Sequence, residues 1–260
     1  MQNVIPLRRS STSLEQNSLQ IVILECPIQS IHDSFTQEIF GKILELKIKS
    51  YQFWFGKNAL PLDAIDFIAC HLLLCTYQEK QWIPILAYKL VSLKTCEAYQ
   101  LEFPIMTHFK NCLKAKPHFK VIQTLMNQAQ QEKKEIYWCG GFMISLKFIP
   151  MKNHLENLMR AMHVFYHLPH SSFLIFTVAS QKFKTQNLFT QAGYQFIQSH
   201  GQDCPAIPLP SYYFEEVLIM YQKALPNSEI QHAQAYQALW NKRIHIDPSI
   251  DSEITPLRAA

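Results

Sequence analysis

Glycine is scarce in this chain, with six among 260 residues. That matters for phosphate binding, because phosphate-cradling loops rest on bare backbone amides. Strong net charge is missing too. The formal value of +4 is small and its charges are scattered, so no nucleic-acid partner is expected. No apolar run reaches membrane-spanning length, since charges or turns interrupt each one at strand length. Arg8 and Arg9 are not followed by an apolar core, so a secretory leader is not expected either. The cysteines Cys26, Cys70, Cys75, Cys96, Cys112, Cys139 and Cys204 form no CxxC pair and are odd in number. They read as reduced, buried thiols of a cytoplasmic protein rather than a disulfide framework. What is present is core: 48% hydrophobic and 12% aromatic residues are ample for a buried interior.

The polar stretch 1–18 reads as a mobile tail. Leu19 to Leu24 suits a first strand. Ser34 is placed to cap a helix through Phe40, Leu44 and Ile48, with Gly56 or Asn58 to end it. Asp66–Thr76 and Trp82–Leu93 are strand candidates joined by a polar connection short enough for a hairpin. Residues 105–131 look helical with a break near Pro117. Glu135–Phe148 reads as a long strand containing Gly140-Gly141, and Asn153–Leu168 as an amphipathic helix with Leu155, Leu158, Met162 and Phe165 on one face. A buried strand over Phe173–Val178 precedes a short helix over Lys182–Gln191. Gly193 ends that helix, and a short strand over Tyr194–Ile197 follows. A loop at Pro205–Pro210, a strand over Tyr212–Tyr221 and a helix over Ser228–Asn241 complete the pattern, with a tail from Asp247. This mixed order predicts an α+β protein, a sheet flanked by helices.

The segment SSFLIFTVASQKFKTQNLFTQAGYQFI, ending in Gly193-Tyr194, resembles the closing pattern of the GNAT acyltransferase superfamily, and the likeness extends over residues 19–225. The resemblance implies an α/β/α sandwich around a mixed sheet of about six to seven strands, with residues 226–260 as a C-terminal helix and tail. It implies that the strand from Glu135 parts from the strand at Phe173 and admits the arm of an acyl thioester. The donor would be acyl-CoA or an acyl carrier protein and the acceptor a small amine, with no metal involved. Ile144, Ser145 and Leu146 would line the donor. Lys152, Asn153 and His154 would meet its phosphates at a helix N-terminus, and Asn187 would hydrogen-bond it. The stretch KIKSYQFWFGKNALPLDAIDFIACHLLLC, with Asp63 and Asp66, is similar to autoinducer synthases and long-chain N-acyl amino acid synthases. Two departures stand out. The phosphate loop, Phe148 to Glu156, lacks glycine, and Phe189 occupies the place of the family's tyrosine acid. A catalytically silent binding module of the same fold is therefore the alternative.

Acyl transfer to an amine needs a proton acceptor, an N–H donor for the oxyanion and a held thioester. Glu135 is the candidate base and Glu97 a candidate catalytic residue on the acceptor side, and for each a solvated surface charge is the weightier reading. Gly140-Gly141 suggests either a bulge that aims an N–H or packing beneath Trp138. His163 and His167 share a helix face, yet no third ligand motif accompanies them, so a polar helix face is expected rather than a metal site. His71 is expected buried and hydrogen-bonded. Tyr51 to Phe55 could wall an acyl chain or fill the core. The basic clusters at Lys47/Lys49, Lys110/Lys114/Lys116 and Lys182/Lys184 could attract an acidic carrier protein.

Overall fold

A computed structural model describes residues 19–78, 81–109, 112–170, 172–209 and 213–248. The expected N-terminal tail, Lys110, the hairpin tip at 79–80 and the end of the C-terminal tail lie outside the described residues. The chain begins with strand β1 (Leu19–Leu24) and helix α1 (Ser34–Phe55). Asp33, not Ser34, caps α1, its carboxylate accepting from the Thr36 N–H at 2.7 Å, and Gly56 ends it at φ +102°. A single helical turn, α2 (Ile65–Ile68), leads into the hairpin β2 (Cys70–Gln78) and β3 (Gln81–Ser92). Helices α3 (Leu93–Ala98), α4 (Pro104–Phe109) and α5 (Lys116–Gln131) follow. Pro117 stands at the start of α5 and so opens a helix, where its missing N–H costs nothing, instead of breaking one.

Strand β4 (Glu135–Ile144) stops short of the expected Phe148, because a 3-10 turn takes over at Leu146–Met151. Helix α6 (Lys152–His167) and strand β5 (Phe173–Ser180) come next, then helix α7 (Thr185–Gln191) and strand β6 (Gln195–Phe196). A small ribbon pairs β7 (Gln198–Ser199) with β8 (Gln202–Asp203). The Pro-rich segment holds a short strand, β9 (Ile207–Leu209), beside β10 (Glu215–Gln222). The expected last helix is two, α8 (Asn227–Gln234) and α9 (Gln237–Asn241), before strand β11 (Ile244–Ile246).

The main sheet runs β11-β1-β2-β3-β4-β5-β10-β6, with β9 also on β10. Among the described residues its nine strands exceed the six to seven expected because β9 and β11 add three-residue pieces. It is mixed: β1 with β11 and β4 with β5 pair parallel, the other pairs antiparallel. Side chains alternate between its two faces. Ile21, Leu72, Tyr137 and Ile175 join α6 residues such as Leu158 and Met162 on one face. Trp138, Leu174 and Phe176 meet Ile105 of α4 and Ile122 of α5 on the other, where Ile39 and Ile43 of α1 also cover Val22 and Leu73. The result is the three-layer arrangement expected, and the C-terminal helix α8 lies against α6 of the same chain.

Candidate functional site

The pairing of β4 with β5 is the key local feature. The two are in register from Glu135↔Phe173 to Cys139↔Thr177 and no further. Beyond that rung β4 keeps to β3, with Gly140 opposite Lys89 and Met143 opposite Ala87. Strand β5 keeps to β10, with Ser180 opposite Val217. The two parallel strands thus lean toward opposite neighbours and part. On β4, residues 141–142 face only Tyr88 of β3, which is a bulge, and Gly141 adopts φ +65° there. A bulge takes a residue out of the ladder and bends its strand, and the positive φ suits glycine. Gly140 has the second expected role as well. A Cβ at Gly140 would stand 2.8 Å from the Trp138 indole nitrogen, so the strand passes the indole only without a side chain.

The parted strands flank a slot of about 560 Å³. Thr177 and Val178 of β5 line it, as do Ile144 and the bulge glycines of β4. The end of α1 forms an aromatic wall of Tyr51, Trp54 and Phe55, stacked through Phe183 and Tyr213. The Ser50 hydroxyl donates to the Ile144 carbonyl at 3.2 Å and ties that wall to β4. At the slot's base the Thr177 hydroxyl is buried and makes no hydrogen bond to any described group. Such a group costs free energy unless a ligand or water completes it. At the mouth, α6 begins without a side-chain cap, and Lys152 in its first turn lines the slot. The Lys152 N–H is spent on the Ile149 carbonyl, so it is the dipole of the 16-residue helix that favours an anion there. The glycine-free turn before it carries Pro150 and Lys147, both exposed.

A small chamber of about 70 Å³ adjoins the slot and shares Tyr51 and Gly141 with it. Beside it lies a buried ionic cluster. Lys47 of α1 donates to both Asp66 carboxylate oxygens at 2.7 Å, and Lys89 of β3 donates to Asp66 Oδ1 at 2.8 Å and to Asp63 Oδ1 at 3.1 Å. Asp63 and Asp66 also cap one another. The Asp63 N–H donates to Asp66 Oδ2 at 3.0 Å and the Asp66 N–H to Asp63 Oδ1 at 3.1 Å. That exchange builds turn α2 and explains why the strand expected from Asp66 starts only at Cys70. Burial disfavours the Asp66 carboxylate, but Lys89 and Lys47 outweigh it and hold the group at about 2. Burial and the neighbouring Lys89 lower Lys47 to about 8 against the pull of Asp66, so it stays charged at neutral pH. His71 is buried as expected, its Nε2–H donating to the Asp66 carbonyl at 2.7 Å. In the chamber itself, Asp63 has a half-exposed side chain and His108 is lowered by burial to about 4.

Not every candidate from the sequence reaches this place. Ile144 and Lys152 line the slot; Ser145, Leu146, Asn153, His154 and Asn187 do not, and Asn153 and Asn187 are exposed. Glu135 and Glu97 are not brought to the slot. Both border a groove at the paired end of β4 and β5, five residues or about 17 Å along the strand from Gly140. Lys47 is not the surface charge its cluster suggested, being 3% exposed. The His163 Nε2–H donates to Gln222 Oε1 at 2.8 Å, and the ring meets His167 edge-on. Among the described residues no group of three metal-binding side chains occurs, and no helix is long and apolar enough to cross a membrane. Thr177, His108 and the Lys47–Asp66–Lys89 cluster escaped the sequence reading. Two lysines interrupting apolar patterns, one on a helix face beside Leu46 and one mid-strand in AYKLV, were the available signal.

No protein-family model matches the chain, and no curated protein matches its sequence. Among solved structures the chain is similar to the coenzyme A-dependent acyl-homoserine lactone synthase BjaI (11% identity, TM-score 0.49, covering 88% of this chain and 92% of that one). It is also similar to the AHL synthase LasI (14%, 0.46, 88% and 97%). A third is an acyl-CoA N-acyltransferase from Pseudomonas aeruginosa (12%, 0.45, 79% and 99%).

Proposed function

We propose that this chain is an N-acyltransferase of the GNAT type, moving an acyl group from an acyl thioester to an amine. The observation that carries the reading is the parting of β4 from β5 after the Cys139↔Thr177 rung, beside a bulge. A thioester arm is a thin chain of amides, and a gap between two strands offers it backbone partners along its length. The buried Thr177 hydroxyl gives it a further hydrogen bond. An N–H set free by the bulge is the donor for the oxyanion. Lys152 and the uncapped start of α6 take the donor's phosphate. Tyr51, Trp54 and Phe55 flank the acyl group, and their apolar area suits a chain longer than acetyl.

The amine enters through the chamber, where Asp63 meets it as a cation. The ammonium gives one proton to water and so frees its lone pair; attack on the thioester carbonyl then makes the nitrogen acidic, and the uncharged His108 imidazole in the same chamber accepts that second proton. Collapse then breaks the carbon–sulfur bond. Phe189 lines the slot and has no proton to give, so the sulfur leaves as thiolate and takes its proton from water.

A second reading rests on that same Phe189 and on the glycine-free turn at 148–156: a module that binds the thioester without turning it over. Thermal shift and product analysis with acetyl-CoA, long-chain acyl-CoA and acyl-loaded carrier protein separate the two. Acyl transfer predicts stabilisation by at least one donor and N-acyl product when amines are supplied. Stabilisation without product favours the silent module, and no stabilisation by any donor contradicts both.

A further inference from the structure

A second cavity, of about 640 Å³, lies at the opposite end of the sheet, where β1 and β3 finish and β2 and β4 begin. It shares no lining residue with the slot or the chamber. Its size is that of a small-molecule site, about 300–1,000 Å³. One side is apolar, built from Ile23, Leu90 and the stacked pair Phe165 and Trp240, with ring centres 5.3 Å apart. The other carries charges of both signs whose bonding capacity is only partly used.

Glu135, which has no place in the slot, lines this cavity. Tyr137 donates a short hydrogen bond to it, while Lys94 at 3.4 Å and His170 at 3.6 Å are loose partners. A carboxylate accepts about four hydrogen bonds, so Glu135 has room for an ammonium group. The Tyr137 hydrogen bond is the main cause that keeps Glu135 below its ordinary range, so it is ionised at neutral pH. Arg243 supplies the opposite charge. Its guanidinium lies 4.6 Å over the Trp240 ring and donates to the Trp240 carbonyl at 3.2 Å. Of its five N–H donors, that is the one used among the described residues, and the fork left over fits a carboxylate. A cation alone would face Arg243, and an anion alone would face Glu135 and Glu25.

We propose that this cavity binds a small zwitterion of the amino-acid class, its ammonium on Glu135, its carboxylate on Arg243 and an apolar or aromatic side chain against Phe165 and Trp240. The site is independent of acyl transfer and stands or falls separately from it. Titration calorimetry of the full chain with L-phenylalanine and L-leucine tests it, alongside the L-phenylalanine amide and N-acetyl-L-phenylalanine. Saturable binding of an amino acid is expected, weaker by about tenfold or more for the amide and the N-acetyl form, and likewise in Glu135→Gln and Arg243→Met. Ala98→Trp fills the cavity from an exposed position of its wall and should abolish binding while leaving the melting temperature unchanged. This variant keeps the test valid should Glu135→Gln fail to fold. The proposal is overturned by absence of saturable binding to the natural chain, by equal affinity for the amide or N-acetyl form, or by binding that survives Ala98→Trp. That last result would place the amino acid elsewhere, the chamber beside the slot included.

Discussion

Asp66 is 1% exposed and holds two lysines that are themselves buried, Lys47 and Lys89. Replacing it with a neutral side chain leaves the Lys47 ammonium uncompensated in the interior and Lys89 with only the half-exposed Asp63. Asp66→Asn should therefore cost about 3–5 kcal/mol in denaturant unfolding, whereas Glu45→Gln, at an exposed helical pair with Lys49, should cost under about 1 kcal/mol. Imidazoles set the acid limit. Burial lowers His71, His108 and His163 to about 4, against about 6.5 in the unfolded chain. Between those values the unfolded chain binds more protons, so stability falls as pH drops from 6.5 to 4, and these groups have no effect above that window. The fully buried His71 and His163 each contribute up to about 3 kcal/mol to the loss. Melting temperatures recorded from pH 8 to pH 4 should hold steady above 6.5 and decline steeply below; a flat profile would contradict the neutral, buried assignment. Asp66 adds its own loss only from about 3.8 down to 2.

At the scale of elements, two glycines define the slot's geometry and a third locks the helix after it. Gly193 ends α7 at φ +94°, and a Cβ there would stand 2.4 Å from the Pro226 ring. Gly141, at φ +65°, would bring a Cβ to 3.5 Å from Lys89, an ordinary contact. Gly193→Ala combines backbone strain with a clash and should cost more than about 2 kcal/mol. Gly141→Ala carries strain alone, about 1–2 kcal/mol, but should weaken donor affinity because it reshapes the bulge. Comparing unfolding free energy with donor affinity in the two variants checks the separation. Both glycines were legible in the sequence, since a Gly pair inside a strand pattern and a Gly before an aromatic each carry a conformational reason. Turn α2 was not legible. After Asp66, the run FIACHLLLC is continuously apolar apart from one histidine, and only the reciprocal capping of Asp63 and Asp66 turns its first residues into a helix. Strands β9 and β11 have three residues each, too few for alternation to show.

Across the whole molecule the sheet has an open end and a closed end, and the chemistry divides between them. The α+β class, the helical layers and the order of the central strands follow from apolar periodicity in long elements such as β3 and α6. Periodicity does not show which end of a strand lies beside a gap. Glu135 illustrates this: its strand was expected correctly, but the residue stands at the paired end, with Tyr137, and not at the parted one. Thr177 was hidden for the same reason, since a single threonine among the apolar residues of FLIFTVAS draws notice only once its neighbours are known to separate. Hydrogen–deuterium exchange with saturating long-chain acyl-CoA or acyl-loaded carrier protein tests the central claim most directly. Protection should rise in segments 139–146, 152–156 and 177–183, the two sides and the mouth of the gap, and stay unchanged at 135–137 and 243–246. Unaltered exchange in the first three segments, or protection confined to the closed end, would contradict the account.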